Sequence, residues 1–319
     1  MLKRKWFCCL AVLVLFGSLL AAGVVPVLAQ QRTFVTIATG GLAGVYYPLG
    51  GGMARLITNA VDYIDASVQS TGASVSNVGL LDRGNVEFAL IQNDIGYYAA
   101  TGTEMFAGRA MPNLRGVAML YPETIQIVTL AGSGIHSVAD LAGRSVAVGA
   151  AGSGTEANAR QILAAYGLTY EDISPDYLSF AEAASNLRDR NVDAAFLTAG
   201  FPTAAVTDLA TSLDIRVLDV SEEAFAALTE NYPFYTRVTI PEDTYRNMDG
   251  DVSTVAVMAM LATHADVDAD IVYESTKAIF DNLSDLANLH SAGARISLER
   301  AQEGQPLELH EGAARYFGQ

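Results

Sequence analysis

The feature that most constrains the fold is an alternation of short β-branched segments with helix-length amphipathic segments. Thr33 to Thr39 predicts a strand and Val45 to Asn59 a helix. The same order continues with a strand at 64–70, a helix at 73–83 and a strand at 87–91. Because strands that alternate with helices build mostly parallel sheets with right-handed crossovers, an α/β protein is predicted.

A second alternating series lies between residues 137 and 218. It begins with a short helix capped by Ser137. The remaining segments are strands at 145–148, 177–179, 194–197 and 215–218, and helices at 155–166, at 182–190 and from Thr203. The repetition of the α/β pattern predicts a second lobe of the same class.

The segments that flank the second series predict how the lobes are joined. Two extended runs, 114–120 and 124–130, are separated by Tyr121-Pro122, and a further extended run covers 234–240. The apolar run 252–262 fits a buried strand or a helix, and a long helix is predicted at 268–283.

The predicted domains are therefore lobe I (30–123 and 237–319) and lobe II (124–236), joined by hinge crossings as a clamshell. Ligands of such sheets bind outside the carboxyl ends of the strands, and the lobes close on them by hinge motion.

Residues 1–29 have the pattern of a cleaved signal peptide. A basic segment, Lys3 to Lys5, precedes the apolar segment 6–20, and small residues at Val27 and Ala29 predict cleavage before Gln30. The alternative is a retained N-terminal anchor. Both cysteines, Cys8 and Cys9, lie in this leader, so a mature chain would have no thiol or disulfide.

The predicted mature chain is strongly acidic. Removing the three basic leader residues from the 19 Lys and Arg leaves 16 against 35 Asp and Glu, a net charge near −19. Such a charge disfavours nucleic acid and anionic lipid as partners. An anionic ligand would therefore be held by local donors rather than by the overall field.

Four segments that follow predicted strands are rich in glycine, hydroxyl or amide side chains. They are residues 39–48, 69–74, 92–94 and 149–155. Glycines let backbone N–H groups approach a ligand, and helix N-termini favour an anion by about 0.3–1 kcal/mol each. The alternative for any one of them is an ordinary capped loop. Tyr46 and Tyr47 either pack the first helix onto the sheet or face the cleft, and the amide of Gln92 needs a partner that a ligand could supply.

Sequence patterns of cofactor sites and catalytic sites are missing. Gly40, Gly41 and Gly44 do not form the G-x-G-x-x-G pattern, and no loop ends in the G-K-[ST] of a P-loop. The four histidines are scattered, and no G-x-S-x-G elbow occurs. Neither a metal nor a cofactor is predicted, and an enzyme is the minority interpretation.

Several motifs resemble one family of solute receptors. The most specific is T-G-G-x-x-G-V-Y-Y-P-L-G at 39–50. Supporting motifs are 70–74 (STGAS), 121–123 (YPE), 152–155 (GSGT), 199–203 (AGFPT), 272–280, 306–307 and 310–313. These motifs are spread along the chain, and the resemblance extends over nearly all of 33–316. The chain resembles the receptor of a tripartite ATP-independent periplasmic (TRAP) transporter of the TRAP-associated extracytoplasmic immunogenic (TAXI) type.

This resemblance implies a class II periplasmic-binding-protein fold and a small carboxylate ligand: glutamate, a related amino acid, or a dicarboxylate such as 2-oxoglutarate. The positions that match the family's cleft are Gly44, Tyr46, Tyr47, Ser70, Ser74, Gln92, Ser153, Gly154, Thr155, Gly200, Phe201 and Pro202. Ser153 to Thr155 would hold a carboxylate, and Tyr46 or Tyr47 would cover the ligand. Phe201 is larger than the residue expected there, which would narrow the far end of the pocket.

The resemblance also implies a sodium-driven TRAP permease as membrane partner. The predicted signal peptide indicates a periplasmic location, and a monomer is expected. The acidic surface would dock on that permease or only keep the protein soluble. Two alternatives to transport stay open at the level of sequence. One is a ligand sensor that presents its closed form to a membrane signalling protein, and the other is an exported enzyme on the same scaffold.

Overall fold

A computed structural model describes residues 32–318, and within them ten strands form one hydrogen-bonded sheet. The predicted leader, with Cys8 and Cys9, lies outside the described residues. In the described part, none of the helices combines the length and the hydrophobicity that a membrane crossing requires. The strands are β1 (Thr33–Ala38), β2 (Ile64–Gln69), β3 (Phe88–Gln92), β4 (Leu114–Leu130), β5 (Ser145–Ala147), β6 (Ser174–Asp176), β7 (Ala194–Ala199), β8 (Ile215–Val217), β9 (Thr236–Ile240) and β10 (Val252–His264).

The strand order is β2-β1-β3-β10-β4-β7-β5-β6, with β8 beside β4 and β9 beside β10. β1 pairs in parallel with β2 and β3, and β5 pairs in parallel with β6 and β7. The antiparallel pairs all involve one of the two long strands, β4 and β10. Each half thus has the parallel βαβ arrangement predicted from the alternating pattern, and two long antiparallel strands connect the halves.

The α-helices cover both faces of this sheet. They are α1 (Tyr46–Ala60), α2 (Ser74–Asp82), α3 (Asn93–Thr101), α4 (Gly154–Ala165), α5 (Phe180–Arg188), α6 (Ala204–Ser212), α7 (Glu222–Asn231), α8 (Ala269–Phe280), α9 (Leu283–Leu289) and α10 (Glu311–Phe317).

Short polar residues fix where several of these helices begin. The side chains of Ser153, Ser179 and Ser221 accept a hydrogen bond from the backbone N–H three residues on, at the start of α4, α5 and α7. Ser179 and Glu182 also form a reciprocal capping box. The predicted cap at Ser137 precedes a short 3₁₀ helix, Val138–Leu141, with the same arrangement.

Two predicted strand assignments were wrong. The runs 114–120 and 124–130 form one continuous strand, because Pro122 lies where the pairing with β10 shifts register between Met258 and Met260. A proline without an N–H is tolerated at such an irregularity. The strand expected at 177–179 lies instead at Ser174–Asp176, because Ser179 caps α5. Helices α3, α7, α9 and α10 had not been predicted.

The long strands pass from one hydrophobic core to another. In β4, Tyr121 packs in the cluster around α1 and β1, whereas Ile125 packs in the cluster around α4 and β5. In β10, Ala259 belongs to the first cluster and Val257 to the second. The lobe boundaries at 123/124 and 236/237 stay predictions, and the residues on either side of this change of core are the ones that border the candidate site.

Candidate functional site

A cavity of about 320 Å³ lies where the carboxyl ends of several strands meet the first turns of helices. Loops after β1, β2 and β5, the end of β3, the middle of β4 and the end of β7 all contribute to its wall. The lining residues are Gly40–Tyr46, Thr71–Ser74, Gln92, Glu123, Ala150, Ser153–Thr155, Ser179–Ala181, Thr198 and Ala199. Among these described residues none carries a positive charge.

Seven of the twelve residues predicted from sequence line this cavity: Gly44, Tyr46, Ser74, Gln92, Ser153, Gly154 and Thr155. The other five do not line it. Tyr47 is half-buried on α1, and the Ser70 hydroxyl donates to the Gly40 carbonyl at 3.0 Å, which fixes the first loop. Which of the twelve contact a ligand stays a prediction.

The remaining three, Gly200 to Pro202, form a turn that is fastened to a distant segment. The Ser291 hydroxyl donates to the Phe201 carbonyl at 2.9 Å, and the His290 Nε2 lies 3.1 Å from the Pro202 carbonyl oxygen. Desolvation lowers the pKa of His290, so its neutral form is favoured at neutral pH. This turn therefore joins the end of β7 to the segment after α9.

The loop after β2 is held rigidly by two side chains. The Thr71 hydroxyl accepts from the Ala73 N–H at 3.0 Å, and the Asn77 amide donates to the carbonyls of Thr39 and Leu90. Ala73 has a φ of 73° and a ψ of −147°, a conformation that costs a non-glycine residue about 1–3 kcal/mol. The network around Asn77 holds the loop in this conformation at the cavity wall.

The first turn of α4 supplies hydrogen-bond donors to the cavity. Ser153 caps the helix by accepting from the Glu156 N–H at 3.1 Å. The N–H groups of Gly154 and Thr155 have no hydrogen-bond acceptor within the helix, because the first N–H groups of every α-helix lack one. With the helix dipole, these groups form a site suited to an anion.

Glu123 is a cavity residue that the sequence had not singled out as a contact. Its side chain is only 2% exposed, and its Oε2 accepts a hydrogen bond from the Tyr46 hydroxyl at 2.6 Å. Burial raises the pKa of Glu123 to about 8, with a smaller upward effect from Asp94 and a downward effect from Tyr46. The sequence signals for Glu123 were its place in the motif 121–123 and its position as an acid between two apolar runs, at 114–120 and 124–130.

A chain of hydrogen bonds runs from the cavity wall into the interior. The Gln92 Nε2 donates to the Asn158 Oδ1 at 3.1 Å, and the Asn158 Nδ2 donates to Asp94 Oδ2 at 3.1 Å and to the Tyr235 hydroxyl at 3.0 Å. Tyr235 in turn donates to Gln161 Oε1 at 2.6 Å. We call these five side chains the Asp94 network. Burial raises the pKa of Asp94 to about 7.

Three contacts close the cavity from opposite walls. The Ser76 N–H donates to the Gly152 carbonyl at 3.0 Å, and Gly44 faces the Phe180 ring. A Cβ added at Gly154 would lie 2.0 Å from Gln92 Oε1, so this glycine permits direct packing of α4 on the end of β3. The described conformation is thus one in which both sides of the cavity touch.

Two buried polar atoms of the cavity wall lack a hydrogen-bond partner among residues 32–318: Gln92 Oε1 and Thr198 Oγ1. Buried polar groups are nearly always satisfied, so each marks a position where a bound molecule or water completes the wall. Within the same residues, no group of three or more His, Cys, Asp or Glu side chains has the arrangement of a metal site.

Comparison with known proteins addresses both the family and the fold. The sequence pattern of the NMT1-like family matches residues 37–318. A protein of Bordetella bronchiseptica RB50 has a similar structure, with a TM-score of 0.56, 20% identity, and coverage of 90% of this chain and 82% of that chain.

Two structures from Xanthomonas are similar to a lesser degree. One is the alkanesulfonate-binding protein SsuA from Xanthomonas axonopodis pv. citri bound to MOPS, with a TM-score of 0.50, 16% identity, and coverage of 90% of this chain and 84% of that chain. The other is a Xanthomonas citri protein bound to ATP, with a TM-score of 0.50, 11% identity, and coverage of 83% and 90%. At these identities the likeness shows the fold, and the predicted periplasmic-binding-protein fold is confirmed.

Proposed function

The chain belongs to the NMT1-like family, and we propose that it is an extracytoplasmic solute-binding protein that captures a small carboxylate. In this proposal it delivers the solute to a sodium-driven TRAP permease of the TAXI type, works in the periplasm after removal of residues 1–29, and catalyses no reaction. The TAXI assignment rests on the motifs at 39–50, 70–74 and 152–155.

The observation that carries the proposal is the closed cavity between the two sheet halves. Its volume of about 320 Å³ lies near the lower end of the range for small-molecule sites. Both sheet halves contribute to its wall, so a bound solute would bridge them and stabilise the closed form. This is the arrangement that a receptor needs if it is to present a different surface with and without solute.

The choice of a carboxylate follows from the donors at the cavity wall. The first turn of α4 offers two N–H groups, and the hydroxyls of Ser153 and Thr155 lie beside them. Hydrogen bonds to an ionised acceptor are shorter and about twice as strong as neutral ones. Several such donors can hold one carboxylate without an arginine.

We further propose that the seven cavity residues predicted from sequence contact the solute. Tyr47, Ser70 and the 200–202 turn would then support the site instead: Ser70 through the Gly40 carbonyl, and the turn through Ser291.

The test is ligand binding to purified protein that has been unfolded and refolded to remove any retained solute. Thermal unfolding against amino acids, 2-oxo acids and dicarboxylates should show stabilisation by at least one of them, with one-to-one stoichiometry and no consumption of the compound. If no carboxylate raises the Tm, or if a bound compound is chemically converted, the proposed function is wrong.

A further inference from the structure

Glu123 gives the cavity a second end with chemistry opposite to that of α4. Gln92 of β3 pairs with Ala259 of β10, and Glu123 of β4 pairs with Val257 of β10. The strand β10 therefore lies between β3 and β4. Two strand spacings separate the backbones of β3 and β4 by about 10 Å. Because Gly154 packs on Gln92, the donors of α4 lie on the β3 side and Glu123 lies on the β4 side.

Glu123 keeps acceptor capacity toward the cavity. The Tyr46 hydroxyl donates to Glu123 Oε2 at 2.6 Å, and the second carboxyl oxygen accepts no hydrogen bond from the described residues. The described residues offer Glu123 no cationic partner, and the charged group that acts on its pKa is another acid, Asp94. A buried carboxylate normally has a counter-ion, and here the cavity is where one can enter.

The partners of the Gln92 amide fix its orientation at the cavity wall. Asn158 Nδ2 donates to both Asp94 and Tyr235, so Asn158 Oδ1 has to accept from Gln92. This fixes the Gln92 amide with its Nε2 toward Asn158, and its Oε1 is the atom without a partner in the described residues. This oxygen lies against Gly154, at the end of the cavity where α4 supplies its donors. An ammonium group has three donors and no acceptor, and the acceptor at the opposite end of the cavity is Glu123.

We propose that the solute is a zwitterion, an amino acid whose ammonium group is bound by Glu123 and whose carboxylate is bound at the first turn of α4. This inference rests on the proposed function and selects within its ligand class. A dicarboxylate would place its second carboxylate against Glu123, and no lining residue carries a positive charge that could compensate the charge of that carboxylate.

The proposal predicts a specific proton balance. Burial raises the pKa of Glu123 to about 8, so the empty cavity holds its protonated form at pH 7. An arriving ammonium group favours the carboxylate, and the carboxyl proton is released to solvent. Affinity for an amino acid should therefore rise about tenfold per pH unit below pH 7 and about fivefold from pH 7 to pH 8, because the binding-competent carboxylate fraction rises in that proportion.

Calorimetric titration of the refolded full chain tests the binding of a zwitterion. It uses pairs of compounds that share a carbon skeleton and differ in the ammonium group. The pairs are L-glutamate with 2-oxoglutarate, L-leucine with 4-methyl-2-oxopentanoate, and L-alanine with pyruvate. Measured in phosphate and in Tris at pH 7, at least one amino acid should bind tenfold or more tightly than its 2-oxo partner and release close to one proton.

The Glu123→Gln variant isolates the carboxyl group, since the Gln carbonyl still accepts from Tyr46. Amino acid affinity should fall at least tenfold and proton release should disappear, whereas affinity for the 2-oxo partner should stay the same or rise. A merely structural role would weaken both members of a pair equally. Glu171→Gln, at an exposed position, has the same charge change and should leave binding unchanged.

Two results would overturn the zwitterion but keep the receptor: a 2-oxo acid or dicarboxylate that binds as tightly as its amino acid, or proton uptake on binding. Equal loss of both pair members in Glu123→Gln would also overturn the role of Glu123. Absence of binding by every compound would instead overturn the proposed carboxylate class on which this inference rests.

Discussion

Two buried carboxyl groups lie within the same structure and have opposite surroundings. Asp94, on α3, is fully buried and both of its oxygens accept a hydrogen bond, from the Ile95 N–H and from the Asn158 amide. Glu123, on β4, is also buried, but it faces the cavity and accepts one bond from Tyr46. Burial raises the pKa of both groups, to about 7 and about 8.

The difference lies in how far the protein itself satisfies each group. Asp94 is surrounded by donors of its own chain and has no room for a ligand, so we infer that it fixes the packing of α3 on α4. Glu123 keeps acceptor capacity toward a cavity, so its remaining partner has to come from outside. A raised pKa is thus common to both groups and does not by itself identify the functional one.

The largest expected effect is on stability, from Asp94→Asn. Both oxygens of the Asp94 carboxyl group can accept, even when the group is protonated. The NH₂ of an amide cannot, and it must turn toward either the Ile95 N–H or the Asn158 NH₂, so a donor faces a donor. We expect the free energy of unfolding at pH 6 to fall by about 3 kcal/mol, as when a buried hydrogen-bond network is broken. Urea unfolding followed by circular dichroism measures it.

The control for that change is Glu123→Gln under the same conditions. Its carbonyl oxygen keeps the Tyr46 bond, so stability should change by less than about 1 kcal/mol. Equal destabilisation by the two variants would contradict the distinction between a structural and a solute-binding carboxyl group.

The same contrast shows what the sequence can predict. The glycine- and hydroxyl-rich loops at Gly40–Gly44, Thr71–Ser74 and Ser153–Thr155 were predicted to form the site, and they line the cavity, because loop chemistry and helix caps are local properties. Glu123 and Asp94 belong to segments that the sequence did single out, 121–123 and 92–94, but it assigned neither side chain a role. Their partners Tyr46 and Asn158 are 77 and 64 residues away along the chain, and only the pairing of the long strands brings them together.

The second prediction concerns the pH dependence of stability. Glu123 has a raised pKa in the folded state, so the folded protein binds a proton that the unfolded chain has lost, and stability falls as pH rises toward about 8. Between pH 6 and 8 the wild type should lose about 2 kcal/mol more than Glu123→Gln. Denaturation midpoints at pH 6, 7 and 8 test this, and parallel curves for the two proteins would show that Glu123 ionises freely in the folded state.

A third prediction tests the packing of α4 on the end of β3, where Gln92 joins the cavity wall to Asn158 and Asp94. In Gly154→Ala the new Cβ would lie 2.0 Å from Gln92 Oε1, and Gln92 cannot move without losing its bond to Asn158. We expect a loss of about 1–2 kcal/mol in stability, together with weaker solute binding.

Gly51→Ala is its matched control, since an added Cβ meets no atom within 4 Å and lies in the interior of α1. That variant should gain about 0.5–1 kcal/mol from helix propensity. If Gly154→Ala were equally harmless, the close packing of α4 on the end of β3 would not constrain the site.

The smallest expected effect comes from Thr198→Val. Thr198 lies on β7, which pairs with β4, the strand that carries Glu123. The Thr198 hydroxyl has no partner among the described residues, so replacing it with a methyl group should change stability by less than about 0.5 kcal/mol. In Thr203→Val, by contrast, the lost hydroxyl accepts from Gln126 and donates to the Gly200 carbonyl, and a loss of about 1–2 kcal/mol is expected. If Thr198→Val is neutral for stability but weakens solute binding in calorimetric titration, then the unpaired atoms of the cavity wall, like Glu123, are completed by the solute. Unchanged binding would restrict that role to Glu123 and Gln92.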